Sequence, residues 1–149
     1  MEKKKVLAIA SVGGHWIELL RLKPFFDEYN TVYISTKVSC KDMVGESKFY
    51  HVTDFNRWNK AKMIGTIFKM VCIFLRERPS IVISTGAAPG LIGLLIGKIL
   101  FAKTIWIDSI ANVEELSLSG KIATKFADKV FVQWPDLTNE KIQYIGNVL

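Results

Sequence analysis

Short runs of apolar residues alternate along the chain with stretches in which apolar residues recur at helical spacing. Several of the short runs are rich in Val and Ile without polar alternation, which is typical of strands buried on both faces. The predicted strands are Lys5–Ala10, Thr31–Ser35, Phe49–Val52, Ser80–Ser84, Thr104–Ile107, Lys129–Val132 and Gln143–Ile145. The predicted helices are His15–Glu28, Lys60–Arg76, Gly90–Phe101 and Leu118–Ala127. This order predicts an α/β fold with a mostly parallel sheet.

The loops that follow these strands carry small polar residues and glycines. The first loop is Ser11–His15, the fourth is Thr85–Gly90, and Asp108-Ser109 follows the fifth strand. Such residues commonly serve as turns and caps. Because ligands of parallel sheets bind outside the carboxyl ends of the strands, the coincidence of the first and fourth loops favours a binding site at that edge.

The pair Gly13-Gly14 stands just before a helix that is predicted to begin near His15. Glycines let the chain turn sharply, and the N–H groups and dipole of the helix start favour a phosphate or diphosphate. A third glycine at dinucleotide spacing and a P-loop lysine are both missing, so no particular nucleotide is indicated. His15 could accept a proton from a sugar hydroxyl, donate to phosphate, or bond the backbone at the helix start. Glu18 could orient His15 or cap the helix.

The later loops offer further candidates. Thr85 and Gly86 would supply more donors near the centre of the sheet, whereas Asp108 and Ser109 would either bind a ligand or brace the neighbouring loops. His15 is the candidate catalytic residue. The candidate residues for binding substrate or diphosphate are Ser11, Gly13, Gly14, Thr85, Gly86, Asp108 and Ser109.

The predicted helix Lys60–Arg76 has a wide apolar face with basic flanks. This pattern suits docking on an anionic membrane surface, and it also suits a core helix with solubilising lysines. The candidate membrane contacts are Lys60, Lys62, Met63, Ile67, Phe68 and Lys69. The stretch Leu91–Leu100 is apolar nearly all round, so one of these two helices is expected to meet lipid or a protein partner.

Composition narrows the class of protein. The 149 residues suit one domain, half of them are hydrophobic and 23% are charged, which excludes a disordered chain. Two cysteines without a zinc-spaced Cys/His cluster indicate a reduced, cytosolic setting, and neither a metal nor a cofactor is expected. The net charge of +6 is dispersed, with no basic stripe carrying stacking aromatics, so nucleic acid is not an expected partner.

Two segments could be mistaken for targeting or membrane-spanning sequences. The apolar run Val6–Ala10 is too short for the core of a signal peptide. The uncharged stretch Pro79–Gly97 is long enough to span a bilayer, but its Ser, Thr, Gly and Pro residues favour a strand, a loop and a helix start.

Longer motifs resemble one family. They are SVGGHWIELLRL at Ser11–Leu22, STGAAPG at Ser84–Gly90, WIDSIANVEELSLSGKIATKFADKVFVQWPDL at Trp106–Leu137 and YIGNVL at Tyr144–Leu149. Together they resemble the acceptor-side, membrane-associated subunits of split UDP-sugar glycosyltransferases, which include proteins of bacterial capsule and exopolysaccharide synthesis. The resemblance covers essentially the whole chain.

This resemblance implies the N-terminal half of a GT-B glycosyltransferase related to MurG, a Rossmann-like domain with helices on both faces of the sheet. Residues 1–149 would form a single acceptor-side half-domain. A separate subunit would bind the UDP-sugar, and the acceptor would be a polyprenyl-diphosphate-linked saccharide. The pair would transfer the sugar by inverting displacement, with His15 as base or electrostatic contact, and this chain would be inactive alone. A non-catalytic scaffold that only recruits the catalytic partner is the alternative.

The sequence also departs from the family pattern. Eukaryotic members generally begin with a transmembrane helix, whereas the first strand here starts within a few residues of Met1. Membrane contact is therefore expected to be peripheral, at the cytoplasmic face of the cell membrane. Asp108-Ser109 stands where eukaryotic members often have Glu before Ser, which weakens any role carried over to Asp108. Trp134 and Leu137 are the expected partner contacts.

Overall fold

The computed structural model describes residues 3–56 and 58–147, and in this part of the chain seven strands form one sheet. The strands are β1 Lys5–Ala10, β2 Asn30–Ser35, β3 Lys48–His51, β4 Ile81–Gly86, β5 Lys103–Ile107, β6 Lys129–Phe131 and β7 Ile142–Gln143. Their order is β3-β2-β1-β4-β5-β6-β7, and all neighbouring pairs are parallel. The predicted α/β fold with a mostly parallel sheet is confirmed.

The helices differ from the prediction mainly after β1. They are α1 Gly14–Arg21, α2 Lys23–Phe26, α3 Lys60–Glu77, α4 Ala88–Ile99 and α5 Leu118–Ala123, with 3-10 turns at Val38–Met43 and Pro135–Leu137. The single helix predicted over His15–Glu28 is interrupted at Leu22. Pro24 explains the break, because proline lacks the N–H that would continue the ladder and is tolerated only in a first turn.

Helices cover both faces of the sheet. Along β1 the side chains alternate, so Leu7 and Ile9 enter the core under α3 and α4, whereas Val6 and Ala8 enter the core under α1 and α2. All four of these side chains are fully buried. This double burial explains why β1 is apolar throughout instead of alternating with polar residues.

The strand order reverses between β1 and β4. The chain moves outward from β1 to β3 and then crosses back to place β4 on the other side of β1. The loops after β1 and β4 therefore leave the sheet side by side at its carboxyl edge, where α/β sheets bind their ligands.

The opposite, amino edge of the sheet holds paired charges. Glu77, at the end of α3, forms ion pairs with Lys5 at 3.0 Å and Lys48 at 2.5 Å, and it accepts a hydrogen bond from the Tyr50 hydroxyl at 2.6 Å. Burial by itself would raise the pKa of Glu77, but the hydrogen bonds from Lys48, Tyr50 and Lys5 outweigh it and lower that pKa to about 2. The charged groups of this edge are therefore bonded to one another within the fold.

Candidate functional site

The loops after β1 and β4 are joined directly. The Ser11 N–H donates to the Gly86 carbonyl at 3.1 Å, and the Thr85 hydroxyl donates to the His15 carbonyl at 2.6 Å. The first bond links the ends of two neighbouring strands, and the second holds the first turn of α1 against β4. The structure therefore brings together the two glycine-containing loops that the sequence singled out.

The start of α1 is open to ligands. Gly13 precedes the helix with φ +100°, a conformation that favours glycine, and no side chain among the described residues caps the helix. The N–H groups of Gly14 and His15 have no partner within the helix and are available to a bound group. A Cβ added at Gly13 or Gly14 would meet no heavy atom of residues 3–56 or 58–147 within 4 Å. The dipole and the bare N–H groups favour an anion here.

His15 lies beside this opening with its ring against Gly86. A Cβ added at Gly86 would lie 2.6 Å from His15 Nδ1, so only glycine leaves room for the ring. Nδ1 is buried and has no hydrogen-bond partner among the described residues, although the residue as a whole is only partly buried.

Glu18 has a role that neither sequence-based alternative anticipated. Its carboxylate is buried and turns to the loop after β5, where Oε1 accepts from the Ser109 hydroxyl at 2.8 Å and from the Ile110 N–H at 3.2 Å. Oε2 is buried without a partner in the described part of the chain. Glu18 therefore neither caps α1 nor orients His15. Ser109 and Ile110 lie 91 and 92 positions after Glu18 in the sequence, and no local sequence pattern indicates such a contact.

The other candidate binding residues are largely occupied by the protein itself. Asp108 is buried and accepts from the Trp106 indole at 2.9 Å, the Ser117 hydroxyl at 2.6 Å and the Asn112 amide at 3.0 Å. Ser11, Thr85 and Ser109 are also buried. This arrangement favours Asp108 as a loop brace, and it leaves Gly13, Gly14 and His15 as the open part of the candidate site.

The second glycine loop is closed by packing. A Cβ at Gly90, in the first turn of α4, would lie 1.9 Å from the Ser84 hydroxyl, and one at Gly93 would lie 2.3 Å from the Ile9 side chain. A Cβ at Gly97 would lie 2.7 Å from the Val82 side chain. Gly90, Gly93 and Gly97 therefore form a smooth stripe that lets α4 lie directly on β1 and β4.

The outward stripe of α3 differs from the predicted membrane contacts. Met63 and Ile67 are only partly exposed, whereas Ile64, Phe68 and Leu75 expose 64%, 71% and 56% of their surface. The positions 64, 68 and 75 are separated by four and seven residues, so a helical projection of the sequence could have found this stripe. Lys60, Lys62 and Lys69 are exposed on the same helix.

The predicted partner contacts also serve the fold. The Trp134 indole donates to the Ile110 carbonyl at 2.8 Å, and the partly buried Leu137 packs against the core. Near them an apolar cavity of about 380 Å³ opens on the α1–α2 face of the sheet, lined by residues that include Phe25, Ile105 and Phe131. Its lining contains no residue of the loops after β1 and β4, and its apolar walls do not suit a diphosphate.

Comparison with known proteins identifies the family. The family described as "Oligosaccharide biosynthesis protein Alg14 like" matches residues 57–148. The chain belongs to this family. The mouse UDP-N-acetylglucosamine transferase subunit ALG14 is 28% identical to this Alg14-like chain over 183 aligned residues, which cover 99% of the chain and 84% of the mouse protein. The Schizosaccharomyces pombe protein of the same name is 48% identical over 48 residues, which are 31% of this chain and 23% of the yeast protein.

Solved structures show the same fold. MurG of Acinetobacter baumannii superposes with a TM-score of 0.79 at 12% identity, over 97% of this Alg14-like chain and 46% of the MurG chain. A UDP-N-acetylglucosamine 2-epimerase of Rickettsia bellii superposes with a TM-score of 0.74 at 15% identity, over 99% of this chain and 46% of the epimerase chain. The Alg14-like chain thus spans less than half the length of these proteins, and the prediction of a Rossmann-like, GT-B half-domain fold is confirmed.

Two further properties bear on the site. Within residues 3–56 and 58–147, no group of three or more His, Cys, Asp or Glu side chains is placed to hold a metal ion. No helix in the same ranges combines the length and the apolar character needed to cross a bilayer.

Proposed function

We propose that this chain is the acceptor-binding, membrane-associated subunit of a two-component glycosyltransferase. The complex would transfer a sugar from a UDP-sugar to a polyprenyl-diphosphate-linked saccharide, in capsule, exopolysaccharide or lipid-linked oligosaccharide synthesis. Membership of the Alg14-like family and the similarity to a mouse protein named as a UDP-N-acetylglucosamine transferase subunit support this proposal. The GT-B half-domain fold supports it as well.

The start of α1 is the observation that carries the proposal. Gly13 and Gly14 leave an uncapped helix end open at the reversal point of the sheet, with His15 beside it. Bare N–H groups at such a point bind phosphates without a lysine. We assign this opening to a diphosphate, which belongs either to the lipid-linked acceptor or to the UDP-sugar.

The geometry of α3 supports contact with an anionic membrane. The helix ends at the amino edge, where Glu77 pairs with Lys5 and Lys48, so its first turns lie towards the carboxyl edge, which carries the opening beside His15. Ile64 and Phe68 would enter the interfacial region while Lys60, Lys62 and Lys69 contact anionic headgroups. We further propose that the chain lies peripherally at the cytoplasmic face of the membrane, with this edge of the sheet towards the lipid.

A separate UDP-sugar-binding subunit would face the same edge. The carboxyl edge exposes Val12, Val38 and Val113, in the segments that follow β1, β2 and β5, and exposed apolar side chains at this edge suit a protein interface. The second half of a GT-B enzyme would close the site from this side. Trp134 and Leu137 remain predicted contacts of that partner.

Reconstitution tests the proposal. The purified chain is mixed with its separately encoded UDP-sugar-binding partner, a UDP-sugar and a lipid-linked acceptor, and transfer is expected only when both proteins are present. Binding of UDP-sugar alone and of a polyprenyl diphosphate alone, measured in separate titrations, shows whose diphosphate the opening takes. Full transfer by either protein alone would refute the two-component function.

A valine at position 14 separates a binding role from scaffolding. Gly14→Val should reduce transfer about 100-fold, because the side chain blocks close approach of the ligand to the backbone while meeting no atom of the described chain. Gly65→Val, at another glycine whose added Cβ meets open space, is the matched control and should leave transfer unchanged. Both variants should still co-purify with the partner. Unimpaired transfer by Gly14→Val would favour the scaffold.

Flotation with anionic liposomes tests the membrane contact. Replacing Lys60, Lys62 and Lys69 by glutamate, or Ile64 and Phe68 by serine, should each reduce flotation. The charge-matched control replaces three exposed lysines near β6 and β7, namely Lys125, Lys129 and Lys141. Equal loss in the control would show that only net charge matters, and unchanged flotation of both test variants would exclude α3 as the contact.

A further inference from the structure

The surroundings of the His15 ring restrict where its proton can lie. Nδ1 is buried against Gly86 and has no hydrogen-bond partner in residues 3–56 or 58–147. A neutral imidazole carries one proton, on either Nδ1 or Nε2. A proton on Nδ1 would be an orphaned buried donor, which native proteins rarely tolerate.

The neighbouring groups do not supply an acceptor for Nδ1. Glu18, one turn along α1, directs Oε1 to Ser109 and Ile110, and its Oε2 is likewise without a partner, so the two residues are not hydrogen-bonded to each other. The segment STGAAPG, from Ser84 to Gly90 at the end of β4 and the start of α4, contains no titratable side chain. After β5, Asp108 is held by Trp106, Asn112 and Ser117. An orienting acid on Nδ1, which a histidine base normally needs, is therefore lacking among the described residues.

We infer that His15 is protonated on Nε2 in the resting protein and acts as a hydrogen-bond donor to an oxygen of the bound diphosphate, not as the base that deprotonates the acceptor hydroxyl. This inference rests on the proposed function for its ligand, but the position of the proton does not. A base would need a free lone pair on Nε2, the nitrogen that can reach a ligand. In this tautomer Nε2 carries the proton, and the free lone pair is on the buried Nδ1. A donor stabilises negative charge on the diphosphate and keeps this ability when the ring gains a second proton.

Nitrogen NMR of the ring tests the protonation state without any assay of activity. The chain contains two histidines, so a long-range 1H–15N spectrum of the 15N-labelled protein above pH 7.5 shows two ring systems, and His51→Gln assigns them. We expect a pyridine-like Nδ1 and a pyrrole-like Nε2 for His15. The reverse pattern would overturn the inference, even if the proposed function is correct.

Conservative variants test the donor in the reconstituted complex. The amide nitrogen of glutamine reaches the place of Nε2, whereas that of asparagine reaches only the place of Nδ1. His15→Gln should keep transfer within about 10-fold of wild type, and His15→Asn and His15→Ala should lose about 100-fold. The substrate whose KM rises is the one whose diphosphate His15 contacts.

The pH profile separates a donor from a base. If His15 donates, any acidic limb in kcat/KM of the wild type persists in His15→Gln. Loss of that limb, together with equal inactivity of His15→Gln and His15→Ala, would identify His15 as the base and overturn the inference. Absence of transfer by the wild-type complex would instead refute the proposed function, and the NMR result would still decide where the proton lies.

Discussion

Two buried glutamates lie at opposite edges of the sheet, and their surroundings differ. At the amino edge both carboxylate oxygens of Glu77 are hydrogen-bonded by side chains from β1 and β3. At the carboxyl edge one oxygen of Glu18 is bonded by the loop after β5, and the other has no partner among the described residues. His15 Nδ1, at the same edge, is also without one.

The contrast indicates a division of roles between the two edges of the sheet. Removing one partner from the paired charges at the amino edge should destabilise the fold, since the remaining group loses its ion pair. Polar atoms left unpaired at the carboxyl edge cost stability instead of adding to it, and they are available to a ligand or to a change of protonation. Substitutions at the amino edge should therefore affect mainly stability, and substitutions at the carboxyl edge should affect mainly function.

The largest effect on stability is expected for Glu77→Gln. The substitution removes the charge that pairs with Lys5 and Lys48 while keeping an acceptor for Tyr50, and it should reduce the free energy of unfolding by about 3 kcal/mol. Urea unfolding measures this change. Transfer by the reconstituted complex, per folded molecule, should be unaltered, and a loss of transfer at full folding would contradict the division between the edges.

Gly86→Ala should reduce stability at the carboxyl edge by steric overlap, without removing any charge. The residue has φ +129°, and a Cβ would overlap the His15 ring, so a loss of about 2 kcal/mol is expected. Gly14→Ala is the matched control, because its Cβ meets open space, and it should change stability by less than about 0.5 kcal/mol. Thermal unfolding of the two variants compares them directly. Equal losses would show that the first loop is also packed.

Acidification should weaken the ion pairs that Glu77 forms at the amino edge. The pKa of Glu77 is about 2 in the folded protein against 4.5 for a free glutamate, so its contribution is complete above pH 4.5 and is lost as the pH falls towards 2. Between pH 5 and 3.5 the free energy of unfolding should fall by about 1–2 kcal/mol from this residue. Urea titrations at the two pH values measure the fall. The free energy of unfolding of Glu77→Gln should fall less over the same pH range. If it fell as much as that of the wild type, other carboxylates would be responsible for the loss.

The same division explains what the sequence could predict. Apolar runs and helical periodicity are local, and they located every strand of the sheet to within a few residues. The two glycine loops have similar compositions, however, and only the packing distinguishes them. Gly13 and Gly14 face open space, whereas Gly90 lies against Ser84 on the adjacent strand.

Long-range pairing accounts for most of what was missed. The contact of Glu18 with Ser109 joins residues 91 positions apart, and the network around Glu77 joins the end of α3 to the first residues of β1 and β3. Neither contact has a local signature. The glycine stripe of α4 does have one, at positions 90, 93 and 97. It explains why α4, one of the two helices for which contact with lipid or a partner was predicted, packs closely on the sheet.

Among the substitutions of the two buried glutamates, Glu18→Gln should have the smallest effect on stability. The amide oxygen keeps an acceptor for the Ser109 hydroxyl and the Ile110 N–H, and the amide nitrogen replaces an oxygen that had no partner among the described residues. The free energy of unfolding should therefore change by less than about 1 kcal/mol, as measured by urea unfolding.

Glu18→Leu is the informative companion. It removes both acceptors and leaves the Ile110 N–H without its partner, which should reduce the free energy of unfolding by about 1–3 kcal/mol. If Glu18→Gln lost as much as Glu77→Gln, the charge of Glu18 would be as well paired as that of Glu77, and the contrast between the edges would fail. If only Glu18→Leu is destabilised, hydrogen bonding to the loop after β5, and not charge, is what Glu18 contributes to the fold.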